Sequence, residues 1–331
     1  MSKIAVIGAG SWGTALALQF ARNHLDVSLW SHLPSDIERM QLERQNSTFL
    51  PGAVFPDNLS VTADLSACIA NSDEIHIVVP SHAFANVLSQ INPLISANVR
   101  LSWATKGLDP AQHQLLSEVF KQHFPENSYA VVSGPTFAGE VANNLPTALV
   151  VASANPAHTK TLADYLSAGN FRPYTSDDPI GVQVGGAAKN IMAIAAGISD
   201  GLGFGANSRA ALITRGLAEI SRLGATLGGK PETFMGLAGL GDLVLTCTDN
   251  QSRNRRFGLA LAAGKTADQA KQEIGQEVEG LLTAREIHHK ALELGIDMPI
   301  TEQTYKVLYE GLAPSDAVKA LLSRQQRAES D

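Results

Sequence analysis

Lys189 is the charged residue whose type and sequence context most strongly suggest a catalytic role. It lies in Gly185-Gly-Ala-Ala-Lys-Asn-Ile-Met-Ala-Ile194, a stretch with no other charged side chain. A lysine on a helix of small and apolar residues is poorly solvated, and desolvation lowers an ammonium pKa toward the range of a general acid or base. The alternative is a long side chain whose ammonium reaches water. The absence of neighbouring charges favours the catalytic interpretation.

Two more charged residues lie in sequence contexts that favour a role in an active site. Asp242 is the lone charge in Leu237-Ala-Gly-Leu-Gly-Asp-Leu-Val-Leu245. Because a buried carboxylate needs a partner, we predict that it pairs with Lys189, although Gly-Asp-Leu also fits a helix N-cap. Lys106, in Thr105-Lys-Gly107 after a predicted strand, can bind a phosphate or polarise a carbonyl.

Three arginines in Asp249-Asn-Gln-Ser-Arg-Asn-Arg-Arg256 form a local anion site in a chain of net charge −7. A fork-shaped guanidinium suits a phosphate dianion, so we predict that Arg253, beside Asn254, clamps a substrate phosphate. Arg255 and Arg256 are interpreted as surface charges, and a short basic run by itself is typical of a solvated face. Cys247 has apolar flanks and no His close in sequence, which predicts a packed thiol rather than a nucleophile.

The N-terminal glycines indicate what these groups would act with. Residues 3–7 form a buried-strand pattern, followed by Gly8-Ala-Gly10-Ser-Trp-Gly13 and then by apolar residues at helical spacing. In such a strand–turn–helix unit Gly8 permits the tight turn and Gly10 a close approach to phosphates. Gly13 permits helix–strand packing, and the helix N–H groups face the anion. A dinucleotide site of this kind implies hydride transfer; the alternative is a tight turn without a ligand.

The second strand lacks the acidic residue that grips the ribose of NAD. It reads Asp26-Val-Ser-Leu-Trp30 and is followed by Ser31-His-Leu33, with no carboxylate at its end. An Asp or Glu about 20 residues after the glycine turn normally bonds the 2′-hydroxyl. His32 can donate to a 2′-phosphate, or it lies in a solvated loop. We therefore expect NADPH or NADH as the cofactor, with NADP tolerated.

The N-terminal part of the chain must position these groups on a sheet. Buried-strand patterns alternate with helical ones, which predicts an α/β domain with a Rossmann-like, doubly wound parallel sheet over residues 1–178. In such folds ligands bind beyond the carboxyl ends of the strands, where the loops with His82, Lys106 and Thr136 converge. The predicted strands are 3–7, 26–30, 74–79, 100–104, 129–133 and 148–152, and the helices after the first lie near 36–45, 83–95, 110–123 and 156–168.

The pattern changes after residue 178. Apolar residues recur at helical spacing over 191–198, 213–223 and 281–294, which predicts an all-helical substrate and catalytic domain over 179–331. The apolar faces of these long helices leave surface that could support a homodimer.

Composition narrows the class of protein further. With 331 residues, 44% of them hydrophobic and 17% charged, the chain suits two globular domains. A net charge of −7 argues against binding to nucleic acid or to an anionic membrane. Cys68 and Cys247, the only cysteines, provide neither a disulfide framework nor a metal site. We expect no signal peptide, no membrane insertion and a cytoplasmic location.

Taken together, the motifs resemble the bacterial-type NAD(P)-dependent glycerol-3-phosphate dehydrogenase family. The matching segments run in order along almost the whole chain: Gly8-Ala-Gly-Ser-Trp-Gly-Thr-Ala15, Val78-Val-Pro-Ser-His82, Trp103-Ala-Thr-Lys-Gly-Leu108, Ser133-Gly-Pro-Thr-Phe-Ala138, Gly186-Ala-Ala-Lys-Asn190, Gly201-Leu-Gly-Phe-Gly-Ala-Asn207, Gly239-Leu-Gly-Asp242 and Asp249-Asn-Gln-Ser-Arg-Asn-Arg-Arg256.

The resemblance implies reversible reduction of dihydroxyacetone phosphate to sn-glycerol 3-phosphate, which supplies phospholipid synthesis. It makes Lys189 the general acid/base at the carbon 2 oxygen, Asp242 the residue that sets its charge, and Lys106 a second substrate-contacting lysine. The implied substrate-binding positions are Lys106, Gly134, Thr136, Lys189, Asn190, Asp242, Ser252, Arg253 and Asn254. The implied cofactor positions are Gly8, Gly10, Ser11, Trp12, Gly13, His32, Lys106, Ala138, Arg253 and Glu279.

One departure and two rival functions stay open at this point. Where the family commonly has two apolar residues, this chain reads Gln276-Glu-Val-Glu279, and a Glu277 side chain aimed at a phosphate would weaken NADPH binding. The first rival is a relative in the wider hydroxyacid or sugar-acid dehydrogenase group. The second is a dinucleotide-binding sensor without turnover, which would need only the glycine turn.

Overall fold

The computed structural model describes residues 2–96 and 99–325, and its N-terminal part is built on one eight-stranded sheet. The strand order is β3-β2-β1-β4-β5-β6-β7-β8, and helices cover both faces. The strands are β1 Lys3–Ile7, β2 Asp26–Trp30, β3 Leu59–Thr62, β4 Glu74–Ile77, β5 Arg100–Trp103, β6 Tyr129–Ser133, β7 Thr147–Ala152 and β8 Phe171–Ser176. This is the Rossmann-like sheet that the sequence predicts.

The sheet differs from the prediction in three strands. β6 and β7 pair antiparallel, whereas every other neighbouring pair is parallel, so the expectation of a wholly parallel sheet is wrong there. β3 and β8 are absent from the predicted set. Both are edge strands and are half exposed, with sequences Leu-Ser-Val-Thr and Phe-Arg-Pro-Tyr-Thr-Ser. An edge strand needs no continuous apolar run and tolerates a proline, so neither segment has the apolar run by which the other strands are predicted. β3 does alternate apolar and polar residues, a signal of a half-buried strand that the prediction missed.

The sequence predicts five of the seven helices of this part, one of them with a shifted start, and misses the two shortest, Leu65–Ile69 and Ala138–Ala142. Their bounds are α1 Ser11–Arg22, α2 Pro34–Glu43, α3 Leu65–Ile69, α4 Ser81–Ile91, α5 Leu116–His123, α6 Ala138–Ala142 and α7 Pro156–Leu166. α5 begins six residues later than the predicted range 110–123. Asp109 accepts hydrogen bonds from the backbone N–H groups of Ala111 and Gln112, and this turn occupies the predicted first turns of the helix.

From Pro179 onward the described chain is helical, as predicted. Its helices are α8 Pro179–Gly201, α9 Ala206–Thr226, α10 Pro231–Phe234, α11 Asp242–Thr248, α12 Arg253–Ala262, α13 Ala267–Ile274, α14 Glu279–Leu294, α15 Pro299–Tyr309 and α16 Pro314–Leu322. α8 is the central element because it is buried along almost its whole length and packs against α9, α11, α12 and α14. A helix that is apolar on all sides is typical of such a position. Among the described residues, no helix is both long and apolar enough to cross a membrane.

Candidate active site

The glycine turn after β1 forms a cradle whose shape depends on missing side chains. Gly8 has φ +118°, and a Cβ there would lie 2.5 Å from the carbonyl oxygen of Val78. A Cβ on Gly13 would lie 1.8 Å from the carbonyl oxygen of Gly8, so a side chain is impossible at either position without moving the backbone. A Cβ on Gly10 would meet nothing within 4 Å. The turn is therefore closed against the sheet and open toward the N-terminus of α1, where N–H groups can receive a phosphate.

A cleft of about 910 Å³ extends from this cradle to the helical part of the chain. Trp12 lines this cleft, and its buried indole Nε1 has no hydrogen-bond partner among the described residues. A buried donor without a partner fits a site that a ligand completes. Of the predicted cofactor residues, Gly8, Gly10, Ser11, Trp12, Gly13, His32, Arg253 and Glu279 line this cleft. The residues present thus fit a dinucleotide.

A second, smaller cleft of about 320 Å³ adjoins the first. Ser11, Trp12, Arg253 and Glu279 line both clefts. Predicted residues that line the smaller cleft include Lys106, Thr136, Ala138, Lys189, Asn190, Ser252 and Asn254. Two predicted substrate residues do not line it: Asp242 lies beneath its lysines, and Gly134 packs against β7, where a Cβ would lie 2.8 Å from the Cα of Leu149.

Lys189, Lys106 and Asp242 meet at the floor of the smaller cleft. Lys189 Nζ donates to Asp242 Oδ1 at 2.6 Å and Lys106 Nζ donates to Asp242 Oδ2 at 2.9 Å. Asp242 is 1% exposed, so each carboxylate oxygen is committed to one ammonium. The predicted contact between Lys189 and Asp242 is present. Asp242 is not an N-cap: it is the first residue of α11, and a π-helical turn over Leu237–Gly241 leads directly into it.

Thr246 is a fourth member of this cluster that the sequence analysis missed. Lys189 Nζ donates to its Oγ1 at 2.8 Å, and that hydroxyl donates to the carbonyl oxygen of Asp242 at 2.6 Å. Thr246 lies four residues after Asp242 on α11, and residues four apart share one face of a helix. That spacing is the signal in the sequence that could have identified it.

The two lysines that share the Asp242 carboxylate have pKa values shifted in opposite directions. Burial lowers the pKa of Lys189 to about 8, and the nearby Lys106 ammonium reinforces this effect while Asp242 opposes it. For Lys106 burial also acts to lower the pKa, but attraction to Asp242 and Glu279 outweighs it, and the pKa is raised. Burial alone would raise the pKa of Asp242, yet the two lysines hold it below its ordinary value. Lys189 is therefore the group poised to exchange a proton.

The arginine run forms one wall of the same cleft, at the N-terminus of α12. Ser252 caps this helix by accepting a hydrogen bond from the N–H of Arg255 at 3.2 Å, and Arg253 and Arg256 line the cleft. A helix N-terminus adds partial positive charge to these guanidinium groups. Arg255 is not the surface charge that the sequence predicts, because it is buried with 8% exposure. Its charged partner, Asp200, lies 55 positions away in sequence.

A pair of asparagines connects this wall to the cofactor cleft. Asn254 Nδ2 donates to Asn190 Oδ1 at 2.9 Å, and Asn190 Nδ2 donates to Glu279 Oε2 at 3.1 Å. Asn254 Oδ1 accepts from the N–H of Gly280 at 2.9 Å. Each side chain keeps only part of its hydrogen-bonding capacity for a ligand, so the pair also fixes α8, α12 and α14 relative to one another.

Other predicted residues fall in simpler settings. Cys247 is fully buried and burial raises its pKa to about 12, so it stays a thiol. Glu277 is exposed and lines the larger cleft, as does Asp36 on α2. Asp36 and Phe49, which lines both clefts, have no signal in the local sequence. In the described part of the chain, no three or more His, Cys, Asp and Glu side chains are grouped to hold a metal ion.

Comparisons with known proteins agree over almost the whole chain. The family model for the N-terminus of NAD-dependent glycerol-3-phosphate dehydrogenase matches residues 3–159, and that for the C-terminus matches residues 178–319. Glycerol-3-phosphate dehydrogenase [NAD(P)+] from Methylococcus capsulatus is 55% identical, covering 99% of this chain and 98% of the relative. The enzyme of that name from Pseudoalteromonas translucida is 53% identical, with the same coverages. The crystal structure of glycerol-3-phosphate dehydrogenase from Coxiella burnetii superposes with a TM-score of 0.95 and is 51% identical, covering 98% of this chain and 99% of that one.

Proposed function

The chain belongs to the NAD(P)-dependent glycerol-3-phosphate dehydrogenase family, and we propose that it reduces dihydroxyacetone phosphate with Lys189 as the proton donor. It is an oxidoreductase that uses NAD(H) or NADP(H) and interconverts this ketone with sn-glycerol 3-phosphate. The family membership decides against both the wider hydroxyacid dehydrogenase group and a sensor without turnover. We assign residues 1–178 to cofactor binding and residues 179–331 to the substrate and the proton transfer.

The chemistry divides between the cofactor and the protein. When bound, the dihydronicotinamide supplies a hydride to carbon 2 of the substrate. The electron pair of the carbonyl bond then moves to the carbon 2 oxygen, and Lys189 gives that oxygen a proton to form the alcohol. In the opposite direction neutral Lys189 removes the proton as hydride leaves carbon 2. An ammonium with a pKa near 8 serves both directions close to neutral pH.

Asp242, Thr246 and Lys106 determine where this proton is held. Asp242 and Thr246 accept two of the three N–H bonds of Lys189, which leaves one directed bond for the substrate oxygen. Lys106 remains charged on the other oxygen of Asp242 and stabilises negative charge that develops on the carbon 2 oxygen. The three residues therefore position the proton and stabilise the transition state without giving up a proton.

The phosphate is held away from the reacting carbon. Ser252 and Arg253 lie at the N-terminus of α12 on the wall of the cleft, and together they form a clamp for a dianion. Binding at a remote phosphate orients carbon 2 against Lys189, which is how remote binding energy increases turnover. We refer to Ser252 and Arg253 below as the phosphate clamp.

The observation that carries this proposal is the buried cluster of Lys189 and Asp242 on the floor of a cleft that continues to the glycine cradle. The experiment follows oxidation of NADPH, and separately of NADH, with dihydroxyacetone phosphate and with unphosphorylated dihydroxyacetone. We expect turnover with the phosphate ester and very little with dihydroxyacetone. Equal turnover of both ketones would contradict the clamp, and no turnover of either would contradict the proposed function.

Four finer assignments are proposed: the cofactor, the location, the direction of the reaction and the oligomeric state. We propose that NADP(H) is accepted because β2 ends without a carboxylate and His32 lines the cofactor cleft; the ratio of the two cofactor rates tests this. We also propose that the chain works in the cytoplasm, in the direction that supplies glycerol 3-phosphate to phospholipid synthesis. An apolar groove of about 510 Å³ between α8, α9, α15 and α16 supports a homodimer, which light scattering would detect.

A further inference from the structure

Arg255 lies next to the phosphate clamp but faces away from the cleft. Its guanidinium donates three hydrogen bonds on the side of α12 away from the cleft. Nε donates to the carbonyl oxygen of Cys247 at 3.1 Å, Nη1 donates to Asn250 Oδ1, and Nη2 donates to Asp200 Oδ2 at 2.5 Å. These partners belong to the end of α11, to the turn before α12 and to the end of α8. One side chain therefore joins three segments that meet beside the clamp.

Asp200 also accepts a hydrogen bond from a second arginine. Arg209 Nη1 donates to the same Oδ2 atom at 2.8 Å, so one carboxylate oxygen bridges two guanidinium groups. Asp200 and Arg209 flank the segment Gly201-Leu-Gly-Phe-Gly-Ala-Asn207, which turns the chain from α8 into α9. Gly203 has φ +85° in this turn, a conformation that favours glycine. The turn therefore brings Arg209 onto the carboxylate that anchors Arg255.

The segment that Arg255 holds is the one that presents the clamp. In the turn before α12, Asp249 Oδ1 accepts from the N–H of Gln251 at 2.7 Å and the Asp249 carbonyl accepts from the N–H of Ser252 at 3.2 Å. These local bonds define the shape of the turn but do not fix its place on the molecule. The contacts of Arg255 with Asp200 and Asn250 tie it to α8, the helix that carries Lys189.

We propose that Arg255 is a positioning residue for substrate phosphate: it locks the clamp at a fixed distance from Lys189 through Asp200 and Arg209. The inference rests on the proposed function, because the clamp is the phosphate site assigned there. Arg255 does not touch the substrate. It acts by pre-organising Ser252 and Arg253, so that ordering of the turn need not accompany each binding event.

The first test compares steady-state kinetics of Arg255→Ala with those of the parent enzyme. We expect the KM for dihydroxyacetone phosphate to rise about tenfold, the effect of losing one well-placed charged contact, with kcat changed by less than about threefold. The already poor turnover of unphosphorylated dihydroxyacetone should not change. An unchanged KM for the phosphate ester, or an equal loss with both ketones, would overturn the proposal.

A double-mutant cycle separates positioning from a merely structural role. If Arg255 acts through the clamp, Arg255→Ala should add no more than about twofold to the KM of Arg253→Ala. If the two effects multiply instead, Arg255 acts independently of the clamp and the proposal fails. Absence of turnover in the parent enzyme would overturn the proposed function itself, whereas normal parent kinetics with an unaffected Arg255→Ala overturn only the positioning role.

Milder variants and a matched control keep the test decisive if Arg255→Ala does not fold. Arg255→Lys keeps a charge against Asp200 but cannot span all three partners, and Arg209→Ala removes only the outer support. Both should raise the KM by less than Arg255→Ala, and an unchanged KM in both would overturn the proposal. Arg100→Ala removes a partly buried arginine paired with Glu74 at 3.4 Å in the sheet, and it should leave the KM unchanged.

Discussion

The molecule buries two clusters of charged side chains, one where the sheet meets the helical part of the chain and one within the sheet. The first is the Lys106–Lys189–Asp242 cluster on the floor of the smaller cleft. The second lies within the sheet, around the carboxylate of Glu74. His158 Nε2 is 3.2 Å from Glu74 Oε2 and Arg100 Nε is 3.4 Å from the same atom. Ser102 donates to Glu74 Oε1, and His76 Nδ1 is 2.7 Å from the Ser102 hydroxyl.

The two clusters differ in charge balance and in access. Around Glu74 one carboxylate faces one arginine, and burial lowers the pKa of His76 to about 4, so that ring is neutral. The parallel register of β4 and β5 sets Glu74 opposite Arg100 and His76 opposite Ser102, so both oxygens of the Glu74 carboxylate have protein partners. Three buried nitrogens of the cluster, His76 Nε2, His158 Nδ1 and Arg100 Nε, have no hydrogen-bond partner among the described residues. Around Asp242 two lysines share one carboxylate, and both line a cleft. Buried charge becomes a site when it is unbalanced and one of its faces is open to a ligand.

Removal of the Lys189 ammonium should have the largest effect. Lys189→Met keeps the length of the side chain but removes the proton donor, so we expect kcat to fall by about 10³-fold or more. Cofactor binding, followed by NADPH fluorescence, should persist because the glycine cradle is untouched. Lys290→Met, which removes a lysine paired with Glu293 at 3.1 Å on α14, serves as the control with unchanged kcat. Comparable turnover in the Lys189→Met enzyme would remove its catalytic role.

Loss of the clamp should be the next largest effect. Arg253→Ala removes one guanidinium from the phosphate, and a charged hydrogen bond of about 2 kcal/mol corresponds to a KM raised about 30-fold. The variant should discriminate less between dihydroxyacetone phosphate and dihydroxyacetone, which measures the loss of phosphate recognition directly. If the KM for the phosphate ester stays at the parent value, the phosphate is bound elsewhere in the cleft.

The imbalance of charge around Asp242 should appear in the pH dependence of the reaction. Reduction needs Lys189 protonated, so kcat/KM for dihydroxyacetone phosphate should fall as pH rises above about 8; oxidation needs it neutral and should rise over the same range. In Asp242→Asn the stabilising anion is lost and Lys106 still repels, which lowers the pKa of Lys189 further. The limb for reduction should then move to lower pH by about one unit. A profile unchanged in Asp242→Asn would show that Asp242 does not set the charge of Lys189.

The two clusters also show which parts of the fold and the site can be predicted from the sequence alone. The contact between Lys189 and Asp242 can be predicted from the sequence. Each is the lone charge in an apolar stretch, so both are expected to be buried and to need a partner. The central strands and α8 were predictable for the same reason, since burial imposes a continuous apolar pattern. The glycine turn was predictable because its spacing carries a steric requirement.

The missed features depend on contacts between segments distant in sequence. Arg255 stands in a run of polar residues in the sequence, and its partner Asp200 is 55 positions away, so the residue types around it do not indicate that it is buried. β3 and β8 lie at the sheet edges and contribute only a few residues to the core, Leu59, Val61 and Phe171, so neither has a continuous apolar run. Glu74 and His158 are 84 positions apart, and they meet only because α7, which carries His158, packs against the sheet. Local pattern predicts which residues are buried, whereas the partners of a buried charge are set by the tertiary fold.

The smallest expected effect on activity provides the most direct test of the comparison. Glu74→Gln and Asp242→Asn make the same chemical change, carboxylate to amide, at the two buried centres. Glu74→Gln leaves the partly exposed Arg100 and the buried His158 facing a neutral group at a fully buried position. Removing one partner of a buried pair costs about 3 kcal/mol, so thermal unfolding should begin about 6–12 °C lower. The kcat and KM measured well below that temperature should stay within about twofold of the parent values, because no member of this cluster faces either cleft.

If Glu74→Gln instead lowered kcat tenfold while the protein remained folded, the sheet cluster would be coupled to catalysis. Access to a cleft would then no longer separate a functional buried charge from a structural one.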